Sequence, residues 1–173
     1  TEFSDFARMP KADPHPLDLS EAVGAALALY QGETPVERRL AADLPPVAAD
    51  RGQLTQVVLN LVENARDAIA GKPDGAIVVT TKRGDAGDRV ELLVDDNGPG
   101  VAAPLRDKVF APYFTTKHGQ GGTGLGLAIV HRIVSDHGGR IVIGEAPGGG
   151  ARFTIELPLE RGQPLLASLV KRP

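Results

Sequence analysis

Apolar positions along this chain repeat with two different periods, and the switch between them marks the elements. In "RGQLTQVVLNLVENARDAIA", Leu54, Val57, Leu61, Ala65 and Ala68 recur at helical spacing, which predicts the strongest helix of the chain, since positions three and four apart share a face. Asp50 followed by Gln53 has the form of a capping box at its start, and Gly71 and Pro73 end it. An earlier helix is predicted in "LSEAVGAALALYQ", opened by Asp18 and Glu21 in the same arrangement and closed at Gly32. A third lies in "LGLAIVHRIVSDH", stopped by Gly138 and Gly139. Alternation takes over in "AIVVTTKR" and "RVELLVDD", joined by "GDAGD", and again in "GRIVIGE" and "ARFTIELP", joined by "APGGG". Each pair predicts a β-hairpin with one face buried. "VERRL" and "PVAA" are weaker strand signals. The order predicts an α+β fold, a two-layer sandwich of a mixed β-sheet packed against three helices.

Two stretches follow neither period. The first sixteen residues, "TEFSDFARMPKADPHP", hold a short amphipathic piece and then Pro10, Pro14 and Pro16, the pattern of a helix end followed by a linker. The domain proper is then expected over residues 17–160, with a tail at 161–173. From Asn97 to Gly124 the chain is rich in Gly and Pro, with one helical turn expected around Pro104 to Val109. A structureless segment of that length inside a compact domain is usually functional, often a lid.

Composition narrows the function. With 173 residues, 42% hydrophobic and 24% charged, the chain can bury one core as a single domain. The absence of cysteine excludes a disulfide framework and a thiolate metal site. No apolar run approaches the roughly 20 residues that cross a bilayer, and no secretory signal is visible, so a cytoplasmic domain without direct membrane contact is expected, whether or not its parent protein is anchored. A net charge of −3 removes general attraction to nucleic acid or acidic membranes. An anionic ligand would have to be held by local devices.

The candidate chemistry begins with "KHGQGGTGLGLAIVH", in which Gly119, Gly121 and Gly124 are spaced G-x-G-x-x-G and Glu145 follows twenty-one residues after Gly124. This is the outline of a dinucleotide fingerprint. It fails because the first glycine of such a loop must leave a buried strand directly, whereas "VFAPYFTTKH" precedes it here. The phosphate loop G-x-x-x-x-G-K-[ST] is absent as well. Gly121, Gly122, Gly124 and Gly126 still lie before and within a helix's first turn, where unpaired N–H groups favour phosphate. On the helix after Asp50, Asn60 and Asn64 share a face, with Asp67 further along, and an amide oxygen suits Mg²⁺. The strand "RVELLV" ends in "DDNGPG", giving D-x-G-x-G at Asp96, Gly98 and Gly100. Each feature alone has a plainer reading: a flexible loop, two solvated asparagines, an acidic turn.

Together, "QVVLNLVENARDAI", "DDNGPG", "VFAPYFTTK" and "GGTGLGLAIV" resemble, in order and spacing, the N, G1, F and G2 boxes of sensor histidine kinase catalytic domains of the GHKL ATP-binding superfamily. The resemblance runs from about Leu17 to Leu159, and "TEFSDFARMP" also resembles the exit of the dimerisation helix in nitrogen-regulation sensors of the NtrY and NtrB type. It implies the Bergerat-type ATP-binding fold, with ATP and Mg²⁺ as cofactors. Carried over by position, Asn64 binds Mg²⁺, Asn60 sits near the phosphates, and Asp96 receives the adenine amino group beside Gly98 and Gly100. Lys117 reaches the phosphates from the lid, and Gly122, Thr123, Gly124, Leu125 and Gly126 close around the triphosphate. Asn60 and Lys117 would serve transfer, and Phe110 and Phe114 would anchor the lid or simply pack.

One departure is informative. Superfamily members that hydrolyse ATP carry a Glu four residues before the metal-binding Asn; here that position is Asn60, an amide that is no general base near neutral pH. Another is Ala151, where some members place a Thr beside adenine. The resemblance further implies a phosphoacceptor histidine followed by an acidic residue and a proline, on a dimerising helical hairpin. None of His15, His118, His131 and His137 has that context. The expectation is a kinase domain that phosphorylates a histidine on a separate dimerisation domain and works upstream of a response regulator. A nucleotide-binding or interaction module without catalysis is the alternative.

Overall fold

The computed structural model describes residues 9–112, 114 and 124–159. Along the chain, β1 (His15–Leu17) leads into α1 (Leu19–Ala28), then β2 (Val36–Leu40), β3 (Val47–Ala49) and α2 (Arg51–Ala68). The hairpin β4 (Ile77–Arg83) and β5 (Arg89–Asp96) follows, then α3 (Gly126–Asp136) and the hairpin β6 (Arg140–Glu145) and β7 (Ala151–Pro158). The main sheet has the order β2-β4-β5-β7-β6, parallel only where β2 meets β4. It is therefore mixed, and β5 lies at its centre. The three helices cover one face, α2 packing between α1 and α3.

Side-chain alternation sets the two faces. Val79, Val94, Phe153 and Ile143 are register neighbours across four strands, and all are buried beneath the helices. The other face is charged: Arg152 bonds Asp95 through two contacts of 2.7 and 2.8 Å, Arg140 holds Glu156 at 2.9 Å, and Lys82 lies 3.6 Å from Glu91. Because neighbouring strand residues point to opposite faces, the adjacent carboxylates separate. Asp95 meets Arg152, while Asp96 continues the buried row of Val90, Leu92 and Val94.

Both predicted capping residues act as such: Asp18 accepts from the Glu21 N–H and Asp50 from the Gln53 N–H. Three local readings need correction. The first helix ends at Ala28 rather than at Gly32, because Leu29 and Tyr30 donate three residues back, to Ala26 and Leu27, and tighten the last turn. Gly32 instead lies against the Tyr30 ring, which leaves no space for a Cβ. The single turn expected around Pro104 to Val109 is two 3₁₀ turns, Ala103–Leu105 and Lys108–Phe110. Finally, His15–Leu17, in the proline-rich stretch, forms β1 and pairs antiparallel with Val47–Ala49. A two-stranded ribbon tolerates Pro16 because its missing N–H can face away from the partner.

Candidate functional site

The site candidates lie along α2: the start of α3 meets it at Asn60, and the turn after β5 meets it at Ala68. Helix α2 is anchored by a continuous apolar stripe, with Leu54, Val57, Leu61 and Ala65 buried. That stripe leaves Asn60 and Asn64 half-buried at its side. Asn60 donates from Nδ2 to the Gly126 carbonyl at 3.2 Å, so the first residue of α3 is tied to the middle of α2. Among the described residues the Asn64 side chain makes no hydrogen bond.

Helix α3 differs from the other two at its start. Asp18 and Asp50 cap α1 and α2, whereas Leu125 precedes α3 without a side-chain cap, and Gly124 before it has φ +74°. Leu125 is buried, so its side chain packs into the core. A helix start with no capping side chain is an anion site in waiting, since first-turn N–H groups and the helix dipole both favour negative charge. Gly126 has open space where a Cβ would stand. Lys117, Gly122 and Thr123, like His118, lie outside the described residues.

Asp96 is 3% exposed, and its Oδ1 accepts from the Gly98 N–H at 2.9 Å and the Ala151 N–H at 3.2 Å. Neither bond uses Oδ2. Burial holds this carboxyl above its ordinary pKa, the two N–H donors oppose that, and neighbouring Asp95 adds to the rise. The geometry explains the two glycines beside it. A Cβ at Gly98 would stand 2.6 Å from the Ala68 carbonyl oxygen at the end of α2, and Gly100 has φ +76°.

Two contributions were not legible as functional residues. Asn97, which lies between Asp96 and Gly98 in D-x-G-x-G, accepts from the Ala76 N–H and donates to the Asp74 carbonyl, both at 2.8 Å. Gly150, which reads in sequence only as part of a hairpin turn, has φ +85°, and a Cβ there would lie 2.3 Å from the Asp96 carbonyl oxygen. At Ala151 it is the backbone N–H, not a side-chain hydroxyl, that reaches Asp96.

Phe110 meets His131 of α3 with ring centroids 5.4 Å apart and the rings tilted by 36°, and Phe110 and Phe114 are both partly buried against the core. His137 is satisfied structurally: Nδ1 lies 2.7 Å from the Ile133 carbonyl and Nε2 accepts from the Asp50 N–H. His15 pairs with Asp13 at the surface. Among the described residues there is no cluster of three or more His, Asp or Glu side chains able to cage a metal, and no helix long and apolar enough to cross a membrane.

Comparison with known proteins bears on the family and the fold. A family profile described as "Histidine kinase-, DNA gyrase B-, and HSP90-like ATPase" matches residues 49–161. The sensor histidine kinase ZraS of Escherichia coli O157:H7 is 43% identical over 148 residues, covering 83% of this chain and 31% of that protein. The sensory histidine kinase/phosphatase NtrB of Rhizobium leguminosarum bv. phaseoli is 42% identical over 130 residues, covering 68% of this chain and 33% of its own length. Full-length ShkA, solved in complex with AMPPNP, superposes with a TM-score of 0.74 at 31% identity, covering 91% of this chain and 34% of ShkA. The chain thus spans about a third of each of these relatives. The profile begins at Ala49, before α2, and ends just past β7, so it includes Asn60, Asn64, Asp96 and the start of α3. By sequence and fold, this chain belongs to the histidine kinase-, DNA gyrase B- and HSP90-like ATPase family.

Proposed function

We propose that this domain binds Mg²⁺-ATP between α2 and α3 and donates its γ-phosphoryl group to a histidine on a separate dimerisation domain, as the catalytic domain of a sensor histidine kinase acting upstream of a response regulator. The observation that carries the reading is the buried Asp96. Its Oδ1 is already bonded by two backbone N–H groups, so Oδ2 is left to accept from the exocyclic amino group of adenine. Guanine would present a carbonyl oxygen there, facing Oδ2 with no proton to share and leaving that oxygen unpaired, a basis for rejection. The glycines at 98 and 100 bring backbone close enough for a flat ring to lie against it.

The residues also fit a magnesium ion. Asn64 offers one hard oxygen and no acidic cage surrounds it, which suits an ion that fills its shell with phosphate oxygens and waters. Bound there, Mg²⁺ would neutralise phosphate charge. The uncapped start of α3 would hold the triphosphate through first-turn N–H groups, with Asn60 locking that turn to α2. Gly122, Thr123 and Gly124 extend that loop in our reading, and Lys117 adds a cation.

Transfer breaks the bond between the γ-phosphorus and the bridging oxygen and forms a phosphorus–nitrogen bond to the imidazole. ADP leaves with the electron pair, and the imidazole proton passes to solvent. Asn60 supports transfer over hydrolysis, because an amide cannot take a proton from water. The test supplies the histidine-bearing hairpin of the same kinase in trans with γ-labelled ATP. Acid-labile, alkali-stable label on the hairpin is expected only when both domains are present. Nucleotide binding without label would leave a binding module.

A further inference from the structure

The D-x-G-x-G turn is held from three directions. Gly98 abuts the Ala68 backbone at the end of α2, Gly150 abuts the Asp96 carbonyl from the last hairpin, and the third hold is made by a side chain. That side chain is Asn97. Its two 2.8 Å bonds reach back 21 and 23 residues to Ala76 and Asp74, in the connection between α2 and β4. Ala76 immediately precedes Ile77, which pairs with Asp96 across the β4–β5 ladder. The amide of Asn97 therefore extends that ladder one step beyond its last backbone pair, with one donor and one acceptor, as a peptide unit would. The connection it grips carries the positive-φ Gly71 and closes on itself through the Lys72–Ile69 and Gly75–Lys72 bonds.

We propose that Asn97 is a positioning residue for nucleotide recognition: by clamping Asp74 and Ala76 to the end of β5, it fixes the direction in which Asp96 presents its carboxylate to the purine. The inference rests on the assignment of Asp96 to adenine. Asp96 Oδ1 is bonded to Gly98 within the turn and to Ala151 of the last hairpin, and neither bond ties the turn's middle residue to the connection between α2 and β4. Asn97 holds it to a different segment, and only an amide supplies both required bonds at this reach. Asp offers two acceptors and no donor, and Ser or Thr is shorter by an atom.

The experiment uses separate probes for the two ends of the ligand. In Asn97→Ala, calorimetry should show adenosine and ATP both binding about tenfold more weakly, affinity for Mg²⁺-tripolyphosphate unchanged, and the preference for ATP over GTP reduced. A merely structural role would lower the melting temperature and leave the affinities of the folded protein within twofold, which overturns the clamp. Wild-type protein that prefers ATP while Asn97→Ala binds identically also overturns the clamp alone; wild-type protein with equal affinity for ATP and GTP overturns the adenine assignment and the clamp with it. A second measurement needs no substitution. Adenosine should slow hydrogen exchange at the Ala76 amide of the wild-type domain, and an unchanged rate there contradicts the coupling.

Discussion

Replacing Asp96 by Asn separates recognition from folding more sharply than any other single change. The fold uses only Oδ1, which takes the Gly98 and Ala151 N–H groups, and an Asn side chain keeps that acceptor. What changes is the second terminal atom, from a carboxylate oxygen to an NH₂ donor aimed at the adenine amino group. A hydrogen bond to a charged group is lost, about 1.5–3 kcal/mol, equivalent to roughly 12- to 140-fold in affinity. GTP should move the other way, because the new donor faces the guanine carbonyl. Stability should not fall at neutral pH. Burial raises the folded-state pKa of Asp96 above the unfolded value, so the native state holds its proton more tightly. The ionised group then subtracts stability as pH rises through the interval between the two values, and continues to do so above it. A neutral amide removes that penalty. Calorimetry with ATP and GTP, beside a thermal melt, measures all three quantities. Unchanged ATP affinity in a folded variant would refute the adenine assignment, and a collapsed melt would mean that the carboxylate is structural.

Asn64→Ala should abolish the gain in ATP affinity on adding Mg²⁺, while the melting temperature holds or rises, because alanine is the better helix former by about 0.5 kcal/mol; full metal dependence in the variant would place the ligand elsewhere, Asn60 first. Gly150→Ala should cost about 2 kcal/mol or more, from a left-handed backbone and a Cβ pressed on the Asp96 carbonyl, read as a lower urea midpoint, and a neutral result would contradict the packing of the last hairpin on the turn. ATP affinity should fall on acidification, in a range above the ordinary Asp pKa, because protonated Asp96 loses acceptor capacity just where the buried group first titrates; affinity rising toward low pH would contradict the proposed role.

The sequence made most of the scaffold legible because its signals are local. Asp50 caps the helix whose stripe it introduces, and the alternation in "RVELLVDD" already separates Asp95 from Asp96 onto opposite faces. The end of α1 was hidden because it is set by a tight turn under the Tyr30 ring, while Gly32 advertised a cap it does not make. β1 was hidden by Pro16 within it and Pro14 just before it, and its partner comes from residues 47–49. In the site, Asn60, Asn64, Asp96 and the glycines were visible as residue types at fixed spacing. The link between Asn60 and Gly126, 66 residues apart, and the Asn97 clamp were not, since nothing local marks a bond to a distant carbonyl.

The central claim is that a nucleotide lies between α2 and α3 with its purine on Asp96. A crystal structure of the domain with Mg²⁺ and a non-hydrolysable ATP analogue tests it directly. The account predicts the adenine amino group against Asp96 Oδ2, the metal on the Asn64 amide oxygen, and the phosphates at the start of α3 beside Asn60. A nucleotide bound away from the end of β5, or a purine whose amino group turns from Asp96, would contradict it.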